Sequence, residues 1–526
     1  MAAGVDRARI TFGPDGDRVS GSELLDRGAA HFAPDADGDA VGVIMTNDRP
    51  TVELVLGAVG VGARIVSLPL PGRGADLDDY VAVLRGACRA HDLSTIVVAD
   101  EHAALLEPLE LPVRRHSHLD GAPVGRPSET GFTLVQFTSG STARPRPVIL
   151  DDRALGANVD AILSVVQPRH GDVMVSWLPL AHDMGLVGML LTGVAAVGPA
   201  WAGGADLVLL DPRQFLRRPA TWLEVVSHWR GSFTAAPDFA FRMAVARRPS
   251  VPVDLGCLRC VIVGGEIVRA ETLREFEQAF VASGFDPIAF CPAYGMAELG
   301  LAATMTPPDV HWQQAVVDTD ALADDLVRPA GKGATTALVA SGPPLPGYDV
   351  RVGDEASDAS ASVRALSVQG PSLGIDGSSG ARFGGTSGWY SPGDRGFLRD
   401  GWVHVCGRDD DYVVARGRNL YAPPIEAVVG AIEGVRSGRV TVVGQPDGTW
   451  VVVAEATKGS IEGHDRDHLR WEIRRAVVEL AGAKPDDVVV LAPGSMPMTS
   501  SGKLQRGAVR AQLLREGHGN AEDGRR

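Results

Sequence analysis

From residue 40 onward, short β-branched apolar runs alternate with segments whose apolar residues recur every three or four positions. Ala40-Val-Gly-Val-Ile-Met45 precedes a helical pattern from Thr51 to Val61, then Ile65-Val-Ser-Leu68, a second helical pattern from Leu77 to His91, and Thr95-Ile-Val-Val98. Strand, helix and strand at this spacing predict crossover units around a buried parallel sheet. The pattern resumes with a helix over Arg153 to Val166 and runs at Val173-Met-Val-Ser-Trp-Leu178, Leu207-Val-Leu-Leu210 and Cys260-Val-Ile-Val263. Two stretches of alternation in one chain predict two similar α/β sheets packed together. Gly57-Ala-Val-Gly60-Val-Gly62 has the look of a dinucleotide fingerprint, but it falls at the end of a predicted helix and reads as tight helix-to-strand packing.

Residues 311 to 385 break the pattern, with dense Gly, Pro, Ser and Asp and β-like runs at Ala337-Leu-Val-Ala340 and Tyr348-Asp-Val-Arg-Val352. They predict a β-rich subdomain at about 311–406 with long loops. Beyond Gly407 come Thr441-Val-Val443, Trp450-Val-Val-Val453 and Val488-Val-Val-Leu491, with an amphipathic helix through Leu469, Ile473, Ala476, Val477 and Leu480. The fold class is therefore α/β: a large N-terminal domain over 1–408 and a small, mobile α+β domain over 409–526, with a frayed tail from Gly517.

Composition narrows the function. The chain has 526 residues, enough for about two to four domains, and 45% apolar residues, as in ordinary globular proteins. Its 50 basic and 65 acidic residues give a net charge of -15, which argues against nucleic acid or an anionic membrane as the main partner. No long uncharged apolar run or leader-like N-terminus is present, so a cytoplasmic protein without membrane association is expected. The five scattered cysteines fit free thiols. Cys257-Leu-Arg-Cys260 has zinc-like spacing but no second pair to complete four ligands.

Candidate chemistry begins at Phe137-Thr-Ser-Gly-Ser-Thr-Ala-Arg-Pro-Arg146-Pro-Val-Ile-Leu150. Hydroxyls at Thr138, Ser139, Ser141 and Thr142 around Gly140 suit an anion-gripping loop, while a solvated Ser/Thr/Gly hairpin has the same composition. It is no Walker loop, because Gly-Lys-Ser/Thr is missing. Three other stretches weigh on the choice: Tyr294-Gly-Met-Ala-Glu298, Tyr390-Ser-Pro-Gly-Asp394-Arg-Gly-Phe397 and Pro497-Met-Thr-Ser-Ser-Gly-Lys503-Leu-Gln-Arg506.

In this order and spacing, from about residue 20 to 510, the four stretches resemble the adenylate-forming superfamily of acyl-CoA synthetases, peptide-synthetase adenylation domains and luciferases. The resemblance implies ATP and Mg²⁺ as cofactors. Thr138, Ser139, Gly140, Ser141 and Thr142, with Arg146, would hold the ATP phosphates. Gly264, Gly265 and Glu266 together with Tyr294, Gly295, Met296 and Ala297 would line the adenine. Asp394 would bind the ribose, with Arg408 beside it. Glu298, helped by Thr142, would hold the metal, Lys503 would reach the carboxylate and α-phosphate, and Asp410 would sit at the hinge. His182 reads either as a gate beside the carboxylate or as a core histidine.

Ser176-Trp-Leu-Pro-Leu-Ala-His-Asp-Met-Gly-Leu186, Pro237-Asp-Phe-Ala-Phe241 and Ala415-Arg-Gly-Arg-Asn-Leu-Tyr421 resemble the fatty-acyl-AMP ligase branch, as does Leu68-Pro-Leu-Pro71. Val316 to Leu338 sits where that branch carries an insertion. The likeness implies a substrate pocket at Trp177, Asp183, Met184, Phe239 and Phe241, a small-molecule carboxylate as substrate, and a separate acyl carrier protein as acceptor. Departures stand beside the matches: Ala143, Arg146 and Pro147 replace two glycines and a lysine of the phosphate loop, and Pro392 replaces a threonine. Two other functions stay open on these residues. One is adenylation of an aryl acid, an amino acid or a small oxyanion, or transfer to CoA or an amine. The other is a catalytically silent nucleotide-binding scaffold.

Overall fold

The computed structural model describes residues 8–515 except 37–39, 69, 72–76, 110–111, 120–122, 139–145, 197–204, 332, 354–359, 410–411, 416–417, 446–447, 458–463 and 499–503. Among the described residues, two large sheets dominate. One has eight strands in the spatial order Ala302–Met305, Phe290–Gly295, Cys260–Val263, Phe233–Ala236, Val173–Ser176, Asp206–Leu209, Arg9–Phe12 and Arg18–Ser20. The other has seven, ordered Ile375–Asp376, Arg146–Asp151, Thr133–Thr138, Arg64–Leu68, Ala40–Ile44, Leu93–Val98 and Val113–Arg115. The mixed α/β class expected from the alternating pattern is what forms, with parallel pairing in the interior of both sheets.

The antiparallel pairs fall toward the sheet margins, where chain connections can be short. Thr133–Thr138 and Arg146–Asp151 form such an antiparallel pair, with Thr138 opposite Arg146. Asp151 at the end of the return strand accepts the Ala154 backbone N–H at 2.7 Å and starts the helix Asp152–Val166. A carboxylate at that position satisfies one of the helix's open N–H groups. The Gly57–Gly62 stretch ends the helix Arg49–Val61, and Gly62, at φ 73°, caps it in the left-handed conformation that a side chain would disfavour.

One apolar core runs through both sheets: Val41, Ile65 and Leu134 of the seven-stranded sheet share it with Val175, Leu207 and Val261 of the eight-stranded sheet. Burying large side chains of this kind contributes roughly 1.5–3 kcal/mol each. On the outer face of the seven-stranded sheet, Val66, Ile96 and Val135 pack with Leu84 and Leu106. Between residues 314 and 408 the described strands are antiparallel: the hairpin Gln314–Asp318 with Thr335–Val339, and a four-stranded sheet ending in Trp402–Arg408. The chain beyond has its own core, built from Trp450, Val452, Ile473, Val477 and Val488 on a three-stranded sheet and the helix His464–Ala481. The tail from residue 517 lies outside the described residues. Cys257 is half-buried, and Cys260 packs its sulfur 3.6 Å from that of Cys291 in the core.

Candidate active site

The strands Cys260–Val263 and Phe290–Gly295 run parallel with Val263 opposite Pro292, so the segments that follow them emerge at the same sheet edge. Ligands of open α/β sheets gather at such carboxyl ends. Here a cavity of about 550 Å³ opens, with Gly264, Gly265 and Glu266 on one wall and Tyr294, Gly295, Met296 and Ala297 on the next. The backbone is packed so closely at Gly295 that a Cβ there would come 1.8 Å from the Leu301 carbonyl oxygen. Glu266 also accepts the Phe239 backbone N–H at 2.7 Å, which fixes the start of the helix Asp238–Ala246 beside the cavity. Tyr294 donates its hydroxyl to Asp394 at 2.7 Å, and Arg408 Nε lies 3.4 Å from the other Asp394 oxygen. Burial, and then the neighbouring Asp394 carboxylate, push the Tyr294 phenol well above its usual range, so it stays a donor.

A second polar group lies at the loop end of the hairpin formed by Thr133–Thr138 and Arg146–Asp151. Thr138 and Arg146, the last described residues on either side of the loop, line the cavity with Glu298 and Tyr390. Ser139, Gly140, Ser141 and Thr142 fall outside the described residues. Tyr390 donates its hydroxyl to Glu298 Oε1 at 2.8 Å. Burial raises the Glu298 pKa, and the Tyr390 hydrogen bond and the Arg146 charge pull in the opposite direction. Arg146 itself pairs through Nη2 with Asp376 at 2.8 Å.

Glu298 suits Mg²⁺ on chemical grounds. No group of three or more His, Cys, Asp or Glu side chains able to hold a metal occurs among the described residues. Mg²⁺ needs only one or two protein carboxylates when phosphates and water supply the remaining oxygens. A single half-buried carboxylate facing the cavity therefore fits a metal that arrives with a nucleotide.

The other arm of the cavity is apolar. Trp177 stacks on Phe215 at 3.8 Å and meets Phe239 edge-on, and both Trp177 and Phe239 line the space. Asp183 accepts the Met184 N–H at 2.7 Å and lies 3.4 Å from His182 Nδ1; all three residues reach the cavity. Met184–Leu191 is wound as a π-helix, and at Gly188 a Cβ would meet Leu301 at 2.7 Å. Such widened turns recur at functional sites. Phe241 does not line the cavity: fully buried, it packs edge-on against Trp222, Phe276 and Phe290. Two residues along a helix turn the side chain through about 200°, so Phe239 and Phe241 face opposite ways.

At the mouth, Leu504, Gln505 and Arg506 meet the cavity together with Glu426, and Arg506 pairs with Glu426 at 2.6 Å. Lys503 and Asp410 fall outside the described residues.

The structure also brings in groups that sequence reasoning left unread. Gln136 lines the cavity, is almost fully buried, and has no partner for either amide atom among the described residues; Trp177 Nε1 is likewise unpartnered. Gln136 sits inside an apolar run, where a lone amide was the available signal. Tyr390 stood inside a quoted motif, but nothing in its spacing pointed at Glu298.

Comparison with known proteins agrees with this geometry. The AMP-binding enzyme family profile matches residues 23–364. A putative ligase of Mycobacterium tuberculosis is 36% identical over 409 residues, 73% of this chain and 72% of that protein. A long-chain-fatty-acid–AMP ligase of Mycobacterium marinum is 29% identical over 520 residues, covering 90% of this chain and 86% of its own. A structure solved in work on fatty acyl-adenylate ligases from E. coli and L. pneumophila superposes with a TM-score of 0.88 at 28% identity, covering 98% of this chain and 97% of that one.

Proposed function

The chain belongs to the AMP-binding enzyme family, and from that premise we propose an ATP-dependent ligase that joins an acyl carboxylate to AMP, releases pyrophosphate and passes the acyl group to a carrier-protein thiol. The observation that carries this reading is the cavity itself: Tyr294, Asp394, Arg408 and Glu298 gather at one end and an apolar arm continues from them. The fatty-acid AMP ligase relatives support an acyl chain as the occupant of that arm.

In this reading a carboxylate oxygen attacks the α-phosphorus and the bond to pyrophosphate breaks. The approach brings anion onto anion, so positioned cations are what the protein must supply. Glu298 would hold Mg²⁺, which neutralises phosphate charge when bound. Asp394 would take the ribose hydroxyls, Tyr294 and the glycine-rich walls the adenine, and Arg146 the outer phosphates. Lys503, on the small domain, would bring a compact ammonium to the reacting oxygens. His182 and Asp183 would flank the carboxylate. We divide the chain at 408/409, a boundary supported by the separate apolar core of residues 413–490. Asp410 would be the hinge. No described helix is long and apolar enough to cross a membrane, and we place the activity in the cytoplasm.

Gln136 and Trp177 Nε1 favour a variant of the same function, in which the acid carries a hydroxyl, keto or amide group that pairs with them. A pyrophosphate-release screen over fatty, hydroxy-fatty, aryl and amino acids, with and without CoA or a phosphopantetheinylated carrier protein, tests both readings. Release with a fatty or substituted fatty acid, and acyl transfer to the carrier ahead of CoA, is expected. Release driven only by amino acids, or faster transfer to CoA, overturns the assignment.

A further inference from the structure

Within the β-rich segment, ahead of Asp394, the chain makes a short detour whose residues no motif accounts for. Ile375–Asp376 adds itself as an edge strand to the return strand of the phosphate-loop hairpin, with Ile375 opposite Ile149 and Asp376 opposite Val148. The turn that follows is tied at both ends: Gly377 donates to the Pro147 carbonyl at 2.9 Å, and Asp376 donates to that of Ala381 at 2.8 Å. Gly374 donates to the Glu298 carbonyl at 2.9 Å, so one turn is bonded to the backbones of both the hairpin and the metal-side acid.

The side chains follow the same plan. Asp376 Oδ2 takes Arg146 Nη2 at 2.8 Å, while Asp376 Oδ1 accepts the Ser378 N–H at 2.9 Å and is thereby oriented. The Arg146 guanidinium stands over the Phe383 ring, 5.9 Å from its centroid. Phe383 in turn packs against Tyr390 at 4.9 Å, and Tyr390 is the donor to Glu298. An arginine has five N–H donors in a rigid fork, so a carboxylate on Nη2 sets the plane and leaves other N–H groups of the fork directed elsewhere. Asp376 does not line the cavity, whereas Arg146 and Glu298 do.

Resting on the ATP-dependent reading above, we propose that Asp376 is a positioning residue for ATP: it clamps the Arg146 guanidinium against Phe383 so that it faces polyphosphate oxygens beside Glu298. A long side chain at the foot of a loop otherwise spends rotamer entropy to reach an anion, and the clamp removes that cost before ATP arrives. The surroundings match the role. The hydrogen bond to Asp376, and less so the Glu298 charge, favour the charged guanidinium, and an incoming phosphate takes the remaining donors.

The test is a two-by-two set of variants: wild type, Asp376→Ala, Arg146→Ala and the double variant, with Asp376→Asn as a milder fifth. Steady-state adenylation gives KM for ATP and for the acid separately. Asp376→Ala is expected to raise KM for ATP by about 5-fold or more, with the acid KM within about 2-fold and the melting temperature only slightly lowered, because Arg146 is about half-exposed and such ion pairs contribute little. Asp376→Asn falls between. In the Arg146→Ala background the same change has no further effect, since the clamp has nothing to hold. An unchanged or lower KM for ATP in Asp376→Ala overturns the proposal, as does an equal loss in both backgrounds. If the wild type adenylates no acid, the adenylation reading itself fails. Calorimetric ATP affinity with Mg²⁺ across the same variants then decides the clamp on the same criteria.

Discussion

At the end of the cavity that we assign to the nucleotide, polar side chains are held in pairs: Tyr294 with Asp394 at 2.7 Å, Tyr390 with Glu298 at 2.8 Å, and Arg146 with Asp376, behind the cavity wall, at 2.8 Å. Gln136, which lines the same cavity, and Trp177 Nε1, beside Phe215 and Phe239, are buried without such partners among the described residues. In the proposed reading, the paired end is organised ahead of binding for a ligand of fixed chemistry, the nucleotide. Leaving a buried amide unpaired costs about 1–3 kcal/mol, so we assign these two groups to the acid that enters the cavity. Variants at the two ends should therefore separate cleanly in their kinetics.

The largest expected effect is at Glu298. Glu298→Gln should lower the adenylation rate by at least about 100-fold, as for loss of a preorganised charge at a phosphoryl site. The same change should raise the melting temperature at neutral pH. Burial lifts the folded-state pKa of Glu298 above its unfolded value. The group's contribution to stability is thus full below the unfolded pKa and is lost as pH rises through the folded one. A rate near wild type would rule out the metal-binding role proposed for Glu298.

Asp394→Ala should raise KM for ATP by roughly 10–100-fold while the acid KM stays close to wild type, the range expected for a hydrogen-bonding charge. A parallel rise in both constants would blur the separation of the two ends. A smaller change belongs to Tyr390→Phe. Its hydroxyl lowers the Glu298 pKa, so its removal moves the acid limb of the pH–rate profile upward. The loss should be about 5-fold at mildly acidic pH and fade as pH rises. A pH-independent loss would show that Tyr390 acts by packing alone. Smallest in stability is Gln136→Leu, which replaces an unpartnered amide with an apolar group of similar size and should be neutral or stabilising. It should change the order of preference among acids and leave KM for ATP unmoved; an unchanged acid profile would discard Gln136 as a determinant.

Much of this was legible in the chain. Alternating runs such as Ala40–Met45 and Cys260–Val263 announced the strands because buried parallel strands are apolar on both faces. Gly57 to Gly62 was readable as packing because its glycines fell at a helix end. The residues around the cavity were readable as clusters of motifs, since each cluster is contiguous in sequence.

What escaped depended on direction and distance. Phe239 and Phe241 are two residues apart in an apolar word, and only the helix phase assigns one to the cavity and the other to the aromatic core. The pairing of Asp376 with Arg146 spans 230 positions, and that of Tyr390 with Glu298 spans 92. No local pattern encodes such contacts. They arise because a two-residue edge strand and a turn carry the later segment back across the phosphate-loop hairpin. The substitution of Arg146 and Pro147 into that loop, which read as a departure from the family, acquires a structural context here: the guanidinium has a carboxylate and a ring to rest on, and Pro147 offers its carbonyl to Gly377.

The most direct test of the account is to incubate the protein with ATP, Mg²⁺ and a panel of fatty and hydroxy-fatty acids without any acceptor, and to quantify acyl-adenylate and pyrophosphate by mass spectrometry. One acyl-adenylate and one pyrophosphate should form together, dependent on the acid and reduced by about 100-fold or more in Lys503→Ala. Unreacted ATP across the panel, or equal product formation in Lys503→Ala, would contradict it.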